Sequence, residues 1–148
     1  APTVYYGDEA GVCGFTDPDN RRTYPWGRED QNLIQYHRDI IAIHKDEEAL
    51  MKGSLKYLYG GFKVIGYGRF TDTEKMVVLI NSGFDEARVK VSVWEVGVTD
   101  DEEMVEVIMS NEEGYTMEKK VHPVTSGVLD ITLPRVSAIL LKAVEVEK

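Results

Sequence analysis

The sequence predicts a mainly β protein in which an antiparallel Greek-key β-sandwich follows a single β/α unit. Two observations support this fold class. Near Gly53 the apolar residues change from the three-and-four spacing of a helix to the alternation of strands. About eight short strand-like segments, separated by polar turns, follow that change, as in sandwich domains. We therefore divide the chain into residues 1–53, a β/α unit, and residues 54–148, a C-terminal β-sandwich domain.

The β/α unit is predicted from three consecutive patterns. Residues 3–6 are apolar enough for a short buried strand, and residues 7–30 form a polar loop rich in Gly, Asp and Arg. A helix is predicted over residues 31–45, where apolar side chains recur on one face and Asp30 supplies an N-cap. One β/α unit cannot cover both faces of its own strand. Because the chain also opens at that strand without an initiator Met, we expect it to begin inside a larger protein.

The sandwich is predicted from alternation and turn residues. Val89, Val91 and Val93 alternate with polar residues, which indicates a sheet with one face in water. The pair Gly60-Gly61 suits a two-residue hairpin turn. The predicted strands are residues 55–59, 62–70, 75–81, 87–93, 104–109, 115–121, 128–133 and 136–144.

Composition excludes several classes of protein. With 17 Lys and Arg against 26 Asp and Glu, the 148 residues carry a formal charge of −9, which disfavours a nucleic-acid partner. The sequence contains no long apolar run and no signal-peptide pattern, so no membrane segment is expected. The single cysteine, Cys13, cannot form an internal disulfide. Because no phosphate-binding glycine loop, metal signature or Ser/His/Asp motif is present, no cofactor and no metal are expected.

The long loop holds the residues that suggest chemistry. Asp8 and Glu9 follow the predicted strand directly, but neighbours on an extended segment point in opposite directions and cannot flank one bond as a catalytic pair. We expect them to hold the loop through hydrogen bonds. Asp17 and Arg21 lie in the stretch DPDNR, where mixed donors and acceptors suit sugar hydroxyls. An Asp–Arg pair that only fixes the loop explains the same residues and is favoured on spacing alone.

Aromatic residues of the sandwich offer a second candidate surface. A sugar-stacking surface is one interpretation of Tyr57, Tyr59, Tyr67 and Trp94. The other is packing across strands, which is more common for tyrosines at alternate positions of a hairpin. The residues alone therefore leave this surface undecided.

Five stretches of the sequence carry a resemblance to a known family: residues 2–11 (PTVYYGDEAG), 17–21 (DPDNR), 33–41 (LIQYHRDII), 49–53 (ALMKG) and 135–141 (RVSAILL). They resemble the α-amylase family of glycoside hydrolases (family 13), and are most similar to its neopullulanase, cyclomaltodextrinase and maltogenic amylase branch. The resemblance covers essentially the whole chain and is specific in the first 53 residues. It implies that residues 1–53 are the last strand, loop and helix of a truncated (β/α)8 barrel, and that residues 54–148 are the C-terminal β-sandwich domain.

The resemblance implies a function in α-glucan hydrolysis. In the family, the Asp and Arg that match Asp17 and Arg21 help to bind glucose units on the non-reducing side of the cleaved bond. The family's catalytic carboxylates lie on earlier barrel strands, so this chain has no catalytic residue and is expected to be inactive alone. The parent enzyme would act on starch, maltooligosaccharides, cyclodextrins or pullulan, while the sandwich stabilises the barrel.

Two other functions remain open at this point. One is a stand-alone carbohydrate-binding module, and the other is a structural sandwich with no role in sugar binding. Whichever function holds, a homo-oligomer formed through the exposed barrel remnant is a possible assembly. The lone cysteine and the branch resembled favour a cytoplasmic parent slightly over a secreted one, which leaves the location open.

Overall fold

The structure, a computed structural model, describes residues 2–146. They form two compact units, one up to Asp46 and one from Glu47 onward, and each is described by itself. No helix among the described residues is long and apolar enough to cross a membrane.

The first unit consists of the long loop and one helix. The loop contains two short 3₁₀ turns, Asp8–Ala10 and Asp19–Arg21, and leads into helix α1, Gln31–Asp46. The Oδ1 atom of Asp30 accepts hydrogen bonds from the backbone N–H groups of Asn32 and Leu33, both at 3.0 Å. These bonds satisfy two of the four free N–H groups at the helix start. The predicted helix and its N-cap are confirmed.

The predicted strand over residues 3–6 is wrong. Among the described residues, this segment is irregular and pairs with no strand. Its hydrogen bonds stay local: the Tyr5 N–H donates to the Asp8 carboxylate, and the Asp8 N–H donates back to the Tyr5 carbonyl. An apolar pattern gives a segment the side chains of a strand, but a strand also needs a neighbouring chain to complete its ladder.

The second unit begins with a short helix and continues as strands. Helix α2 spans Glu48–Lys52. Two of the strands that follow, over residues 75–81 and 128–133, begin and end where the sequence predicts. The strands are β1 Ser54–Gly61, β2 Val64–Phe70, β3 Lys75–Asn81, β4 Ala87–Ser92, β5 Glu102–Asn111, β6 Gly114–Thr116, β7 Val121–Thr125, β8 Val128–Leu133 and β9 Ser137–Glu145.

The strands form a nearly closed antiparallel sheet with the order β1-β2-β3-β9-β5-β7-β8-β4, and β6 adds to β5. Strand β7 pairs with both β5 and β8, so it joins the part of the sheet that contains β1, β2, β3, β9 and β5 to the part that contains β8 and β4. Strands β3 and β9 are neighbours in space but distant in sequence, as Greek-key connections require. The mainly antiparallel β fold is confirmed.

The core lies between the two parts of this sheet. Val91 and Leu129 are fully buried partners on β4 and β8, and Leu79 and Leu141 are fully buried on β3 and β9. The predicted alternation in β4 is confirmed, because Val89 and Val91 are buried while Lys90, between them, is exposed. Burial of each such side chain contributes about 1.5–3 kcal/mol.

Two local expectations for the sandwich are wrong. The first hairpin turns at Phe62-Lys63, because Gly61 pairs with Val64 and the Gly60-Gly61 pair belongs to strand β1. Lys63 has a φ of 60°, a left-handed conformation that the turn demands. The predicted strand over 115–121 is divided into β6 and β7, which pair with different stretches of β5.

A network of three charged side chains fixes α2 to the sheet. The Lys142 ammonium on β9 donates to the Glu47 carboxylate and, at 2.8 Å, to that of Glu74. The other oxygen of Glu74 accepts the Ala49 N–H at 2.6 Å, at the start of α2. Burial alone would raise the pKa of Glu74, but the Ala49 N–H and Lys142 outweigh it and hold that pKa below its ordinary value. Burial alone would likewise lower the pKa of Lys142, and the two carboxylates raise it instead.

One carboxylate lies inside the sandwich. Glu106 is 4% exposed, and its Oε1 atom is 2.8 Å from the Nε2 atom of His122 on β7. The second oxygen, Oε2, is buried and has no hydrogen-bond partner among the described residues. A carboxylate can only accept hydrogen bonds, so the proton between the two groups lies on Nε2 when Glu106 is ionised. His122 is therefore the group that makes burial of this charge tolerable.

Candidate functional site

The first part of the loop is held by its own carboxylates. Gly7 and Gly11 flank the 3₁₀ turn Asp8–Ala10 in left-handed conformations, with φ values of 92° and 75°. The Asp8 carboxylate accepts the Tyr5 N–H, and the Glu9 carboxylate accepts the Gly7 N–H, both at 3.0 Å. These contacts give both acidic residues the loop-holding role expected from the sequence.

Asp17 and Arg21 form a two-pronged ion pair on the surface of the loop. Arg21 donates from Nε to Oδ1 at 3.1 Å and from Nη2 to Oδ2 at 2.6 Å. The hydrogen bond from Arg21 lowers the pKa of Asp17, and the carboxylate raises the pKa of Arg21. Because two parallel hydrogen bonds fix the plane of the guanidinium, its other N–H groups point in defined directions.

A second pair beside it was not expected from the sequence. Arg22 donates from Nε to the Asp19 carboxylate at 2.8 Å, and the other oxygen of Asp19 accepts the Phe15 N–H at 3.2 Å. The Arg22 carbonyl also accepts the Tyr6 hydroxyl at 2.9 Å. The stretch DPDNRR carries two acid–base pairs at close spacing, which was the signal for this second pair. Through these hydrogen bonds, Asp19 and Arg22 are linked to the preceding segment of the chain, and this also helps to hold the neighbouring Asp17–Arg21 pair in place.

Aromatic side chains flank the charged residues. The rings of Tyr24 and Trp26 lie 4.5 Å apart at an angle of 49°, and the Trp26 side chain is exposed. Phe15 is exposed as well. Burial raises the pKa of Tyr24, and the charge of Glu9 adds to this. The loop therefore presents apolar ring faces as well as charged hydrogen-bonding groups.

An open pocket of about 590 Å³ lies within the same loop. It is lined by Ala10, Gly11, Val12, Cys13, Arg22, Thr23, Pro25 and Arg28. Neither Asp17 nor Arg21 lines it, so the pocket and the ion pair are separate features of the loop. Within residues 2–146, no three His, Cys, Asp or Glu side chains come close enough together to hold a metal ion.

This arrangement suits recognition of a polyhydroxylated ligand better than bond cleavage. A sugar hydroxyl both donates and accepts a hydrogen bond, and the Asp17 carboxylate and Arg21 guanidinium offer one acceptor and one donor side by side. The acids Asp8 and Glu9, which follow residues 3–6 directly, already accept backbone N–H groups. Among the four aromatic residues considered on the sandwich, Tyr57 lies opposite Tyr67 across β1 and β2, and Tyr59 packs against the core. Trp94 is exposed on the 3₁₀ turn Val93–Val96.

Comparison with known proteins shows which proteins the chain resembles. No family model matches the chain. An amylopullulanase of Thermoanaerobacterium saccharolyticum is 28% identical over 150 residues, which is 93% of this chain and 11% of that protein. A cyclomaltodextrinase of Thermoanaerobacter pseudethanolicus is 35% identical over 83 residues, or 55% of this chain and 14% of that enzyme.

The solved structures agree in fold. The α-amylase of Anoxybacillus aligns over 97% of this chain and 29% of its own, with a TM-score of 0.79 and 23% identity. The resemblance of this chain to the C-terminal part of family 13 glycoside hydrolases is confirmed. Because the sequence of this α-amylase is only 23% identical to that of the chain, the comparison shows the shared fold alone.

The chain spans only a small part of these family 13 relatives: 11% of the amylopullulanase and 14% of the cyclomaltodextrinase. The similarity therefore shows which part of these proteins the chain resembles. The activity, substrates and partners of a whole enzyme remain matters for proposal.

Proposed function

We propose that this chain is the C-terminal part of an α-glucan-hydrolysing enzyme of family 13. Residues 1–53 complete the catalytic barrel of that enzyme, and residues 54–148 form a domain that packs on the barrel and stabilises it. Asp17 and Arg21 contact glucose units of the bound substrate. The substrate is an α-glucan such as starch, a maltooligosaccharide, a cyclodextrin or pullulan.

The geometry of the Asp17–Arg21 pair supports the proposed binding role. A pair that meets a sugar must be reachable from solvent. Both side chains are exposed, and their double hydrogen bond fixes their orientation before a ligand arrives. Such preorganisation reduces the entropy lost on binding.

Catalysis is assigned to residues outside this chain. Retaining cleavage of a glycoside requires two carboxyl groups about 5–5.5 Å apart, one on each side of the bond. Asp8 and Glu9 are sequence neighbours that accept separate backbone N–H groups. We expect no turnover of starch, pullulan or cyclodextrins by the 148-residue chain. Activity that survives repurification and is abolished by Asp8→Asn or Glu9→Gln would contradict this assignment.

The test of the binding role compares two arginines with the same chemistry. Arg88 on β4 forms a similar double hydrogen bond with Asp130 on β8, at 2.8 and 3.0 Å, and its side chain is 73% exposed against 66% for Arg21. In the enzyme that contains this chain, Arg21→Ala should raise the KM for maltoheptaose by about tenfold, since a hydrogen bond to a charged group contributes about 1.5–3 kcal/mol. Arg88→Ala should leave the KM unchanged.

Thermal melting of both variants separates binding from folding. Loss of either exposed pair should cost at most about 1 kcal/mol of stability. If Arg21→Ala lowers the melting temperature and leaves the kinetics on long oligosaccharides at the wild-type level, the pair only holds the loop and the proposed contact is wrong.

A further inference from the structure

Two phenylalanines project from neighbouring loops at one end of the sandwich. Phe62 lies at the tip of the β1–β2 hairpin and is 89% exposed, and Phe84 lies in the β3–β4 loop and is 66% exposed. The Lys63 ammonium is 5.2 Å from the centre of the Phe62 ring and 5.4 Å from that of Phe84. One cation therefore holds both rings through cation–π contacts. We call Phe62, Lys63 and Phe84 the aromatic platform.

The hairpin that carries Phe62 is tied to the loop that carries Phe84. The Ser82 N–H and hydroxyl both donate to the Lys63 carbonyl, at 2.8 and 3.0 Å. A Cβ atom at Gly83 would lie only 2.9 Å from the Asn81 Oδ1 atom, so this position of the loop suits glycine. The two rings are thus fixed relative to each other by the backbone as well as by the cation.

A buried asparagine holds the second loop from below. Asn81 is 2% exposed; its amide nitrogen donates to the carbonyls of Asp85 and Pro134, and its oxygen accepts the Gly83 N–H, each at 2.9 Å. The Gly83 carbonyl accepts the Val136 N–H, also at 2.9 Å. Because Phe84 lies between two residues anchored in this way, its backbone is rigid although its side chain is in water.

Exposure of two large apolar rings on a rigid frame needs an explanation, since the core gains nothing from them. Their combined area is roughly 300 Å², well below the roughly 800 Å² per partner that a stable protein interface buries. The two rings alone are therefore too small for a protein interface, and their area fits a ligand of a few sugar rings.

The surroundings favour a neutral ligand. Lys63 carries a positive charge on one loop, and Asp85 and Glu86 carry negative charges on the other. A glucose ring is neutral, and its axial C–H groups form apolar faces that stack on aromatic rings. We infer that the aromatic platform is a second binding surface for an α-glucan chain. This inference rests on the proposed function, because it takes the ligand class from there.

The test uses the 148-residue chain, with electrophoresis through gels that contain soluble amylose and titration with maltoheptaose. Amylose should retard the wild-type chain. Phe62→Ala and Phe84→Ala should each weaken maltoheptaose binding about tenfold, which corresponds to the loss of one buried phenyl ring. Phe84→Tyr should retain binding because it keeps the ring, and Phe84→Leu should lose it.

Leu55→Ala is the matched control, because Leu55 is also 66% exposed and lies on β1 in the same unit. It should bind maltoheptaose as the wild-type chain does. The melting temperature of each variant verifies that it is folded. If a variant is unfolded, the wild-type chain is titrated with maltoheptaose instead, and the amide chemical shifts of residues 62–64 and 82–85 should change. Loss of binding in Leu55→Ala alone, or shifts confined to other residues, would overturn the inference.

The same experiments separate this inference from the proposed function. Maltoheptaose binding at the wild-type affinity in the Phe62→Ala/Phe84→Ala double variant overturns the platform and leaves the role of Arg21 intact. Retardation by a β-linked glucan such as hydroxyethyl cellulose, with none by amylose, would instead contradict the proposed α-glucan function and with it the ligand assigned to the platform.

Discussion

Replacement of Lys142 by methionine tests the charged network that fixes α2 to the sheet. Methionine keeps most of the length of the side chain and removes the ammonium. The carboxylates of Glu47 and Glu74 then face each other with no cation between them. Lys142 lies on the central strand β9, between β3 and β5, so the change acts at a strand with neighbours on both sides.

The structure sets the size of the effect. Lys142 donates one hydrogen bond to each carboxylate, and a hydrogen bond to a charged group contributes about 1.5–3 kcal/mol. The side chain is 34% exposed, so water replaces part of what is lost, whereas the carboxylates of Glu47 and Glu74 are each 16% exposed. We expect Lys142→Met to lower the free energy of unfolding by about 3 kcal/mol, at the lower end of the range for breaking a buried ion pair.

Urea denaturation followed by circular dichroism measures this quantity, and the melting temperature should fall by about 10 °C. Lys90→Met is the matched control, since Lys90 is 74% exposed and its nitrogen lies 3.9 Å from the Asp130 carboxylate. It should change stability by less than about 1 kcal/mol. Adding Glu47→Gln to Lys142→Met should recover part of the loss. If both Lys→Met variants unfold at the same urea concentration, water screens the network and the reasoning is refuted.

The pH dependence provides an independent check. The pKa of Glu74 is lower in the folded chain than its ordinary value of 4.5, so the folded state gains stability above that value and loses it as the pH falls through the folded pKa. The wild-type chain should therefore lose stability below about pH 4.5. In Lys142→Met, protonation of either carboxyl relieves their repulsion. The stability difference between the two chains should narrow as the solution is acidified.

Three further substitutions test single contacts. Gly127→Ala should destabilise by about 1–3 kcal/mol, because the added Cβ would lie 2.6 Å from the Cβ of Trp94 and the position has a φ of 70°; unchanged urea unfolding would show that the turn adapts. Asp30→Ala should cost about 1 kcal/mol through the loss of the α1 N-cap, measured as reduced amide protection at the helix start. His122→Ala should cost about 3 kcal/mol, since it leaves the buried Glu106 without its partner. A denaturation midpoint equal to wild type in His122→Ala would mean that water reaches the carboxylate.

The strands were the most predictable part of the fold. Alternation records which side of a strand is buried, and the strands β3 and β8 therefore begin and end where the sequence places them. Turn positions were less predictable. Gly60-Gly61 satisfies the local requirements of a hairpin turn, yet the register shift between Tyr57 and Tyr59 continues the pairing to Gly61 and Val64. Register depends on contacts with the neighbouring strand, which a local sequence pattern does not contain.

The segment over residues 3–6 illustrates the same limit at the level of the fold. Its composition suits a strand, and the resemblance to the last barrel strand of family 13 enzymes suggests one. A strand nevertheless depends on chains that are distant in sequence. In the described residues, Tyr5 and Asp8 satisfy each other instead. Side-chain pattern alone predicts what a segment is able to form, and its partners decide what it does form.

The Asp17–Arg21 pair shows why a pattern predicts a contact more readily than a role. Spacing of four residues in a turn suffices to bring a carboxylate and a guanidinium together, and the pair is present. The Arg88–Asp130 pair has the same geometry although it joins two strands. The same pair of hydrogen bonds thus occurs once in a loop that also carries exposed aromatic rings and once between two strands of the sheet. The difference between the two pairs lies in their surroundings, so the kinetics of Arg21→Ala against Arg88→Ala measure what the surroundings add.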